Sequence, residues 1–124
     1  MPDTPKTGGI PRGTVIVANV SDPQGRNPKE RPLVVVEDFE KGDSGIFCVA
    51  VTSTLPNPIP GEYVPLPWHR DRRVSRTGLT ARCAAVSTWR VLVAEGDVVT
   101  RLGHIPNDAL LQIVKQIQGS SPDG

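Results

Sequence analysis

The chain has 124 residues, a formal net charge of +1 at pH 7, and 13 prolines and 12 glycines. This length accommodates one domain with a modest core, and the nearly balanced charge excludes a protein that holds nucleic acid through its overall field. No apolar run approaches the roughly 20 residues that a membrane-spanning helix needs, and residues 1–9 lack the apolar core of a secretion signal. We therefore expect a small cytoplasmic domain without a membrane segment.

The high content of proline and glycine favours turns and short strands over long helices. Residues 1–10 are polar and predict a flexible N-terminal arm, and residues 119–124 predict a flexible tail after a domain at 11–118. Within that domain, apolar and β-branched runs of strand length occupy residues 14–20, 33–37, 46–52, 63–66, 83–87, 89–93 and 98–104.

Near the C-terminus the apolar spacing changes from that of strands to that of a helix. Side chains recur there at i, i+3, i+4 and i+7 positions, namely Leu110, Leu111, Ile113, Val114 and Ile117. Pro106 or Asn107 opens this helix and Gly119 ends it. The predicted fold class is mainly β, a small barrel or half-barrel of five to seven short strands with the C-terminal helix packed on it.

The segment 22–36 combines a proline-pinned basic loop with an apolar run that predicts a strand. Arg31 stands where the loop becomes the strand, and Arg26 and Lys29 precede it in the same loop. A guanidinium is well suited to bind phosphate, and loops held by a strand often carry functional groups. The segment therefore predicts an anion site, with the pairing of Arg31 to a neighbouring acid in a plain hairpin as the alternative.

Hydroxyl side chains end the third apolar run, where Thr52 and Ser53 precede a proline-rich loop. Such hydroxyls can bind an anion, but at strand ends they more often cap backbone groups or start turns. If the second and third strands are neighbours, Thr52 approaches Arg31 only in a particular register. The sequence does not determine that register.

A second basic segment begins at Trp68. Its indole could stack on a nucleic-acid base while neighbouring basic side chains hold phosphates. These side chains are Arg70, Arg72, Arg73 and Arg76, and His69 lies in the same loop. The alternative is a solvated loop anchored by one tryptophan. The other histidine, His104, is predicted to fill a structural corner before the helix.

Two cysteines, Cys48 and Cys83, lie 35 residues apart inside apolar runs, where a free cysteine behaves as a small hydrophobic residue. The sequence contains no CxxC pair, no histidine cluster and no spacing of acids typical of a metal cage. We therefore predict two free thiols rather than a disulfide, no metal site and no cofactor.

Taken in order, several short motifs resemble the MazF/PemK/Kid family of toxins from bacterial toxin–antitoxin modules, over about residues 11–117. The most specific is the arginine–proline–apolar block that begins at Arg31. The others are Arg12-Gly13, Asp22-Pro23, Val49-Ala50-Val51-Thr52-Ser53, Val64-Pro65-Leu66, Gly78-Leu79-Thr80, Arg90-Val91 and Leu102-Gly103-His104-Ile105-Pro106. The resemblance implies a small SH3-like β-barrel of the CcdB/Kid/MazF type that works as a homodimer.

The resemblance also implies a metal-independent endoribonuclease that cuts single-stranded RNA, such as mRNA, at short sequences. In that family the ribose 2′-hydroxyl attacks the adjacent phosphate, leaving a cyclic phosphate and a free 5′-hydroxyl. The family's catalytic arginine and threonine fall on Arg31 and Thr52, whose charge and hydroxyl suit a developing phosphorane. RNA contacts are hypothesised for Arg26, Lys29, Ser53, Trp68, His69, Arg70, Arg72 and Arg73. A cognate antitoxin would cover the same groove with a disordered, acidic and apolar segment.

The sequence departs from the family at Ser87-Thr88-Trp89-Arg90, where many members carry an acid proposed for acid–base catalysis. His69 is then a candidate for the missing proton donor. The departure also leaves open a different class of function, a catalytically silent barrel that binds a protein or RNA partner. At the level of the superfamily, DNA-directed action as a gyrase poison is a further alternative, which no residue here favours over RNA cleavage.

Overall fold

The computed structural model describes residues 9–21, 24–26 and 28–119. Six strands come first in the chain, with a short 3₁₀ turn at Glu95–Asp97 before the last of them. The strands are β1 (Thr14–Val20), β2 (Lys29–Val35), β3 (Ile46–Thr52), β4 (Tyr63–Pro65), β5 (Ala84–Val93) and β6 (Val98–His104). One helix, α1 (Asn107–Gly119), follows them.

The six strands form one sheet in the order β4-β5-β3-β2-β1-β6, and every pairing between them is antiparallel. β1 and β2 form a hairpin in which Ala18 lies opposite Arg31. On the other side of β2, Leu33 lies opposite Ala50 of β3. The predicted class, mainly β with a C-terminal helix, is confirmed.

The central strands are buried on both faces of the sheet. Val34 and Val49 belong to a core cluster that includes residues of α1, whereas Leu33 and Cys48 belong to a second cluster. Because successive side chains of a strand point to opposite faces, a strand buried on both sides requires a continuous apolar run. This explains the unbroken Leu-Val-Val-Val stretch at 33–36.

The helix packs on the first cluster through one apolar stripe. Leu110 and Ile113 are buried, and Val114 and Ile117 are partly buried against the same cluster. The helix bounds agree with the predicted ones. Leu111, predicted on the same stripe, is 62% exposed instead, because it lies about 100° around the helix from Leu110.

β2 begins earlier than predicted, at Lys29 rather than at Leu33. The side chains at 29–32 are exposed or half-buried, so they give no apolar signal, although they pair with β1 along the hairpin. Arg31 therefore lies inside a strand and not at the junction of loop and strand. Its backbone is fixed by the ladder.

The two apolar runs predicted at 83–87 and 89–93 form the single strand β5. Its pairing with β3 is interrupted by an irregularity, because Val49 lies opposite Arg90 whereas the next residue of β3, Ala50, lies opposite Val86. Residues 87–89 are thus extra residues on β5 and form a β-bulge. A polar interruption in the sequence marks this bulge rather than the end of a strand.

Ile10, predicted to be part of the N-terminal arm, lies in the core. It is 4% exposed and its backbone pairs with Phe39 in an isolated bridge. The Gly9 carbonyl accepts a hydrogen bond from Arg101 of β6. The rest of the predicted arm, residues 1–8, and the tail residues 120–124 lie outside the described residues.

Candidate functional site

An open cleft of about 330 Å³ lies at the end of the sheet where β2 begins and β3 ends. Its apolar floor includes Val51 and Leu102. Its polar and charged lining residues are Lys29, Glu30, Arg31, Thr52, Ser53, Thr54 and Thr80. Two cations and several hydroxyls around one cleft suit an anionic ligand.

The register between β2 and β3 brings the two predicted catalytic residues together. Leu33 lies opposite Ala50, and continuing this antiparallel register by two residues places Arg31 opposite Thr52. Directly opposed residues of an antiparallel pair have Cβ atoms about 4.5–5.5 Å apart. Both residues line the cleft, so a ligand bound there can reach both.

Arg31 is half-buried and held by contacts on two parts of its side chain. Its Nε donates a hydrogen bond to the Val20 carbonyl at the end of β1, at 3.0 Å. Its Cζ lies 5.0 Å from the centre of the Trp89 ring, a distance typical of a cation–π contact. The guanidinium is therefore oriented by contacts within the protein itself.

The Thr52 hydroxyl is oriented by the turn that follows it. Its Oγ1 accepts a hydrogen bond from the backbone N–H of Thr54, at 3.1 Å. A hydroxyl has one hydrogen and two acceptor lone pairs, so accepting this bond leaves its O–H able to donate to an anion. The structural role expected of a hydroxyl at a strand end, which is to stabilise a turn, is thus compatible with anion binding.

The other predicted RNA contacts lie elsewhere. Trp68 and His69 line a second cleft, of about 640 Å³, together with Val74 and Arg76. Trp68 is 44% exposed there, which leaves ring surface available for stacking. The structure therefore divides the predicted contacts between two clefts.

The remaining basic residues predicted to bind RNA are exposed. Arg70, Arg72 and Arg73 belong to the loop that lines the second cleft, and Arg26 belongs to the loop between β1 and β2. Arg73 pairs with Asp71, its Nε lying 3.4 Å from the carboxylate. Exposed pairs of this kind contribute little to stability, so Arg73 can rearrange towards a ligand.

His69, the candidate proton donor, lies at the second cleft rather than beside Arg31. Its Nδ1 accepts a hydrogen bond from the backbone N–H of Asp71, at 2.9 Å. This bond requires the unprotonated nitrogen at Nδ1 and therefore stabilises the tautomer with hydrogen on Nε2.

The two clefts share a wall at residues 75–80, which crosses over β6. Two glycines permit this close approach. A Cβ added to Gly78, whose φ is +76°, would lie 2.6 Å from the Leu102 Cβ, and a Cβ added to Gly103 would lie 2.7 Å from the Thr77 carbonyl carbon. Two short motifs of the family resemblance therefore contact each other in the fold.

Ser87, which stands where many members of the family carry an acid, has a structural role. It is 2% exposed, and its hydroxyl lies within hydrogen-bond distance of the Glu62 carbonyl, at 3.0 Å, and of the Gln116 side-chain oxygen, at 3.1 Å. These contacts connect β5 to the turn before β4 and to α1.

His104 also makes structural contacts. Its ring nitrogens lie 2.7 Å from the Ile105 carbonyl oxygen and 3.2 Å from that of Arg12. Gly13, with a φ of +91°, packs against the same ring, since an added Cβ would lie 2.8 Å from it. The packing of His104 thus requires the glycine of the Arg12-Gly13 motif, whereas Arg12 contributes only its backbone carbonyl.

Three further polar residues of the first cleft, Glu30, Thr54 and Thr80, were not predicted as site residues. Glu30 is the one carboxylate among the described residues that line it, and a carboxylate can exchange protons with a bound substrate. The signal available for Glu30 was its place next to Arg31, and for Thr80 its place in the Gly-Leu-Thr motif. Neither signal shows which cleft a side chain lines.

Both cysteines are free and buried, as predicted. Burial raises the pKa of the Cys48 thiol to about 12 and that of Cys83, which lines the first cleft, to about 11. Desolvation disfavours the thiolate, so neither sulfur is a nucleophile near neutral pH.

These raised pKa values predict a loss of stability at alkaline pH. Above pH 9 the thiols ionise in the unfolded chain but stay neutral in the folded one, so the unfolded chain binds fewer protons and stability falls as pH rises towards the folded pKa values. At pH 10 the free energy of unfolding is expected to be lower than at pH 7 by about 1 kcal/mol for each thiol. Urea unfolding at both pH values measures this difference.

A variant with both Cys48→Ala and Cys83→Ala is the control for lysine and tyrosine titration. It is less stable than the wild type at pH 7 because of the lost packing, but its stability should decline less between pH 7 and pH 10. Equal declines in the two proteins would contradict the assignment.

Among the described residues, no group of three or more histidine, cysteine, aspartate or glutamate side chains could hold a metal ion. Within these described residues, a helix with the length and apolar character required to cross a membrane is absent.

No protein-family model matches the sequence, and no curated protein does. Solved structures do match. The chain is similar to a crystal structure of MazE-MazF (Form-II) from Deinococcus radiodurans, with 17% identity, a TM-score of 0.67, and coverage of 90% of this chain and 97% of that chain. It is also similar to a crystal structure of MazE-MazF (Form-III) from the same organism, with 13% identity, a TM-score of 0.61, and coverage of 89% of this chain and 94% of that chain. The chain therefore has a MazF-like fold, as the motifs predicted.

Proposed function

We propose that this chain is the toxin of a toxin–antitoxin module and that it cuts single-stranded RNA as a metal-independent endoribonuclease. The observation that carries the proposal is the convergence of Arg31 and Thr52 in one cleft of a MazF-like fold. Cleavage of RNA by its own 2′-hydroxyl builds negative charge on the phosphate oxygens. A fixed guanidinium and oriented hydroxyls stabilise that charge.

In the proposed reaction the 2′-oxygen bonds to the adjacent phosphorus while the bond from phosphorus to the 5′-oxygen breaks. The products are a 2′,3′-cyclic phosphate and a free 5′-hydroxyl, so one proton leaves the 2′-hydroxyl and one reaches the 5′-oxygen. Arg31 stabilises the phosphorane, and Thr52 and Ser53 donate to its non-bridging oxygens. Lys29, in the same cleft, binds the neighbouring phosphate.

The strand would extend beyond the reacting phosphate in both directions. Arg26 holds the backbone on the side of the β1–β2 loop. Because the two clefts share a wall, an RNA of several nucleotides can continue over residues 75–80 to the second cleft. There Trp68 offers a stacking surface and the exposed arginines offer positive charge.

The proposed protein partner is an antitoxin with an acidic and apolar segment. Such a segment carries charge complementary to Lys29 and Arg31 and would therefore compete with RNA for the cleft. The similarity to MazE-MazF structures supports this kind of partner. The proposal includes a homodimer, which the family resemblance implies.

A second candidate is a MazF-like module that binds RNA or protein without cutting. The role of Ser87 favours it, because this position contributes a buried structural hydroxyl where many members of the family carry an acid. The retained pair of Arg31 and Thr52 favours the enzyme.

Digestion of a mixed pool of single-stranded RNA by the purified chain, in EDTA and without antitoxin, separates the two candidates. Short products that begin with a 5′-hydroxyl and end in a cyclic phosphate are the expected result. An intact pool that is nevertheless retained by the protein would favour the binding module. An intact pool that does not bind would contradict both RNA cleavage and RNA binding, and would leave only a module that binds a protein partner.

A further inference from the structure

Trp89 lies in the bulge of β5, where the strand has three residues more than β3. Both ends of the bulge are fixed. The Ser87 hydroxyl bonds to the Glu62 carbonyl, and Arg90 Nε donates to the Ser87 carbonyl at 3.3 Å. Bulges re-aim side chains, often next to functional sites, and this one directs the Trp89 ring to Arg31.

The contact crosses an intervening strand. The sheet order places β3 between β5, which carries Trp89, and β2, which carries Arg31. The β3 residue at the bulge is Ala50, whose small side chain leaves room above the sheet for two long side chains. Trp89 packs on the cluster that contains Ala50, so buried apolar side chains support the ring.

We propose that Trp89 is a positioning residue for Arg31, and that its indole holds the guanidinium in the orientation in which it meets a phosphate. This inference rests on the proposed function. Stacking uses the face of the guanidinium, whereas phosphate oxygens bind its in-plane N–H groups, so the two interactions are compatible. The hydrogen bond from Nε to Val20 restrains rotation within the plane.

Positioning matters because an arginine side chain is flexible. An unrestrained guanidinium would lose rotamer freedom when it meets the transition state, and that loss would offset part of its electrostatic effect. Two restraints present before substrate binds remove this cost. The segment Ser87-Thr88-Trp89-Arg90, which departs from the family pattern, thus supplies a residue that supports Arg31.

The first test is spectroscopic and independent of activity. In a ¹H–¹⁵N spectrum of arginine Nε groups, the Arg31 signal, assigned by its loss in Arg31→Lys, should show an upfield ring-current shift. Trp89→Phe should keep part of this shift and Trp89→Leu should abolish it, whereas Thr88→Ala, an exposed change in the same bulge, should leave it unchanged. An Arg31 signal unaffected by Trp89→Leu would overturn the proposal.

The second test is kinetic and uses the RNA assay. Trp89→Leu should lower kcat about 10-fold with KM changed less than about twofold, and Trp89→Phe should stay within about threefold of the wild type. Adding Trp89→Leu to Arg31→Ala should cause no further loss, and multiplied losses would overturn the proposal. If Trp89→Leu does not fold, the proposal is tested with Trp89→Phe alone, through its partial ring-current shift at Arg31 and its kcat. If the wild type does not cut RNA, the proposed function fails and the spectrum alone decides the contact.

Discussion

Replacing Arg31 with alanine is expected to lower kcat for cleavage of single-stranded RNA by about 100- to 1,000-fold. The guanidinium supplies fixed positive charge in a half-buried cleft, where it is stronger than in water because solvent screens it less. Among the described residues that line the cleft, Lys29 is the other cation, but it is exposed and lies at the start of the strand. It therefore compensates poorly for the loss.

The same substitution removes a hydrogen bond to Val20 and the contact with Trp89. These losses should reduce the free energy of unfolding by about 1–3 kcal/mol, so circular dichroism and thermal unfolding must accompany the assay. Arg101→Ala is the matched control. It removes an arginine of β6 that bonds to the Gly9 carbonyl, and it should retain full activity.

Growth arrest on expression gives an independent measurement of the same prediction. Wild type and Arg101→Ala should both arrest growth, and Arg31→Ala should not. Full cleavage by a folded Arg31→Ala protein would remove Arg31 from the mechanism, even if the wild type is a ribonuclease.

The sequence predicts the elements of this fold where burial produces a pattern. The β-branched run at 33–36 and the helical spacing of Leu110, Ile113 and Ile117 reflect the core directly, and both elements are present. The polar start of β2 gives no such signal, because pairing with β1 holds those residues whatever their side chains. The bulge of β5 gives only a polar interruption, which in the sequence looks like the end of a strand.

The sequence predicts the residues of the candidate site but not their geometry. Residue type and the resemblance point to Arg31 and Thr52, whereas their proximity depends on the register of β2 and β3. Trp68 and His69 are predicted as RNA contacts together with Lys29, and the sequence does not show that residues 75–80 separate their cleft from the first one. Contacts between residues distant in the sequence determine both the proximity of Arg31 to Thr52 and the separation of the two clefts.

Gly103→Ala tests that dividing wall and is expected to be strongly destabilising. An added Cβ would overlap the Arg76 carbonyl oxygen and lie 2.7 Å from the Thr77 carbonyl carbon. These are backbone atoms, and the Arg76 carbonyl is held by a hydrogen bond from the His104 N–H at 2.9 Å. The clash is relieved only if residues 75–80 move off β6, which we expect to cost about 3 kcal/mol.

Thermal unfolding should show this as a melting temperature lower by about 10 °C. Gly96→Ala is the matched control, because an added Cβ there meets nothing within 4 Å, and its stability should stay within about 0.5 kcal/mol of the wild type. The rate of RNA cleavage by Gly103→Ala should also be lower than that of the wild type, even at temperatures where the variant is folded. The reason is that Thr80 and the wall of the first cleft move with the segment. A Gly103→Ala protein as stable as Gly96→Ala would show that residues 75–80 are not seated on β6, and the separation of the two clefts would then have no structural basis.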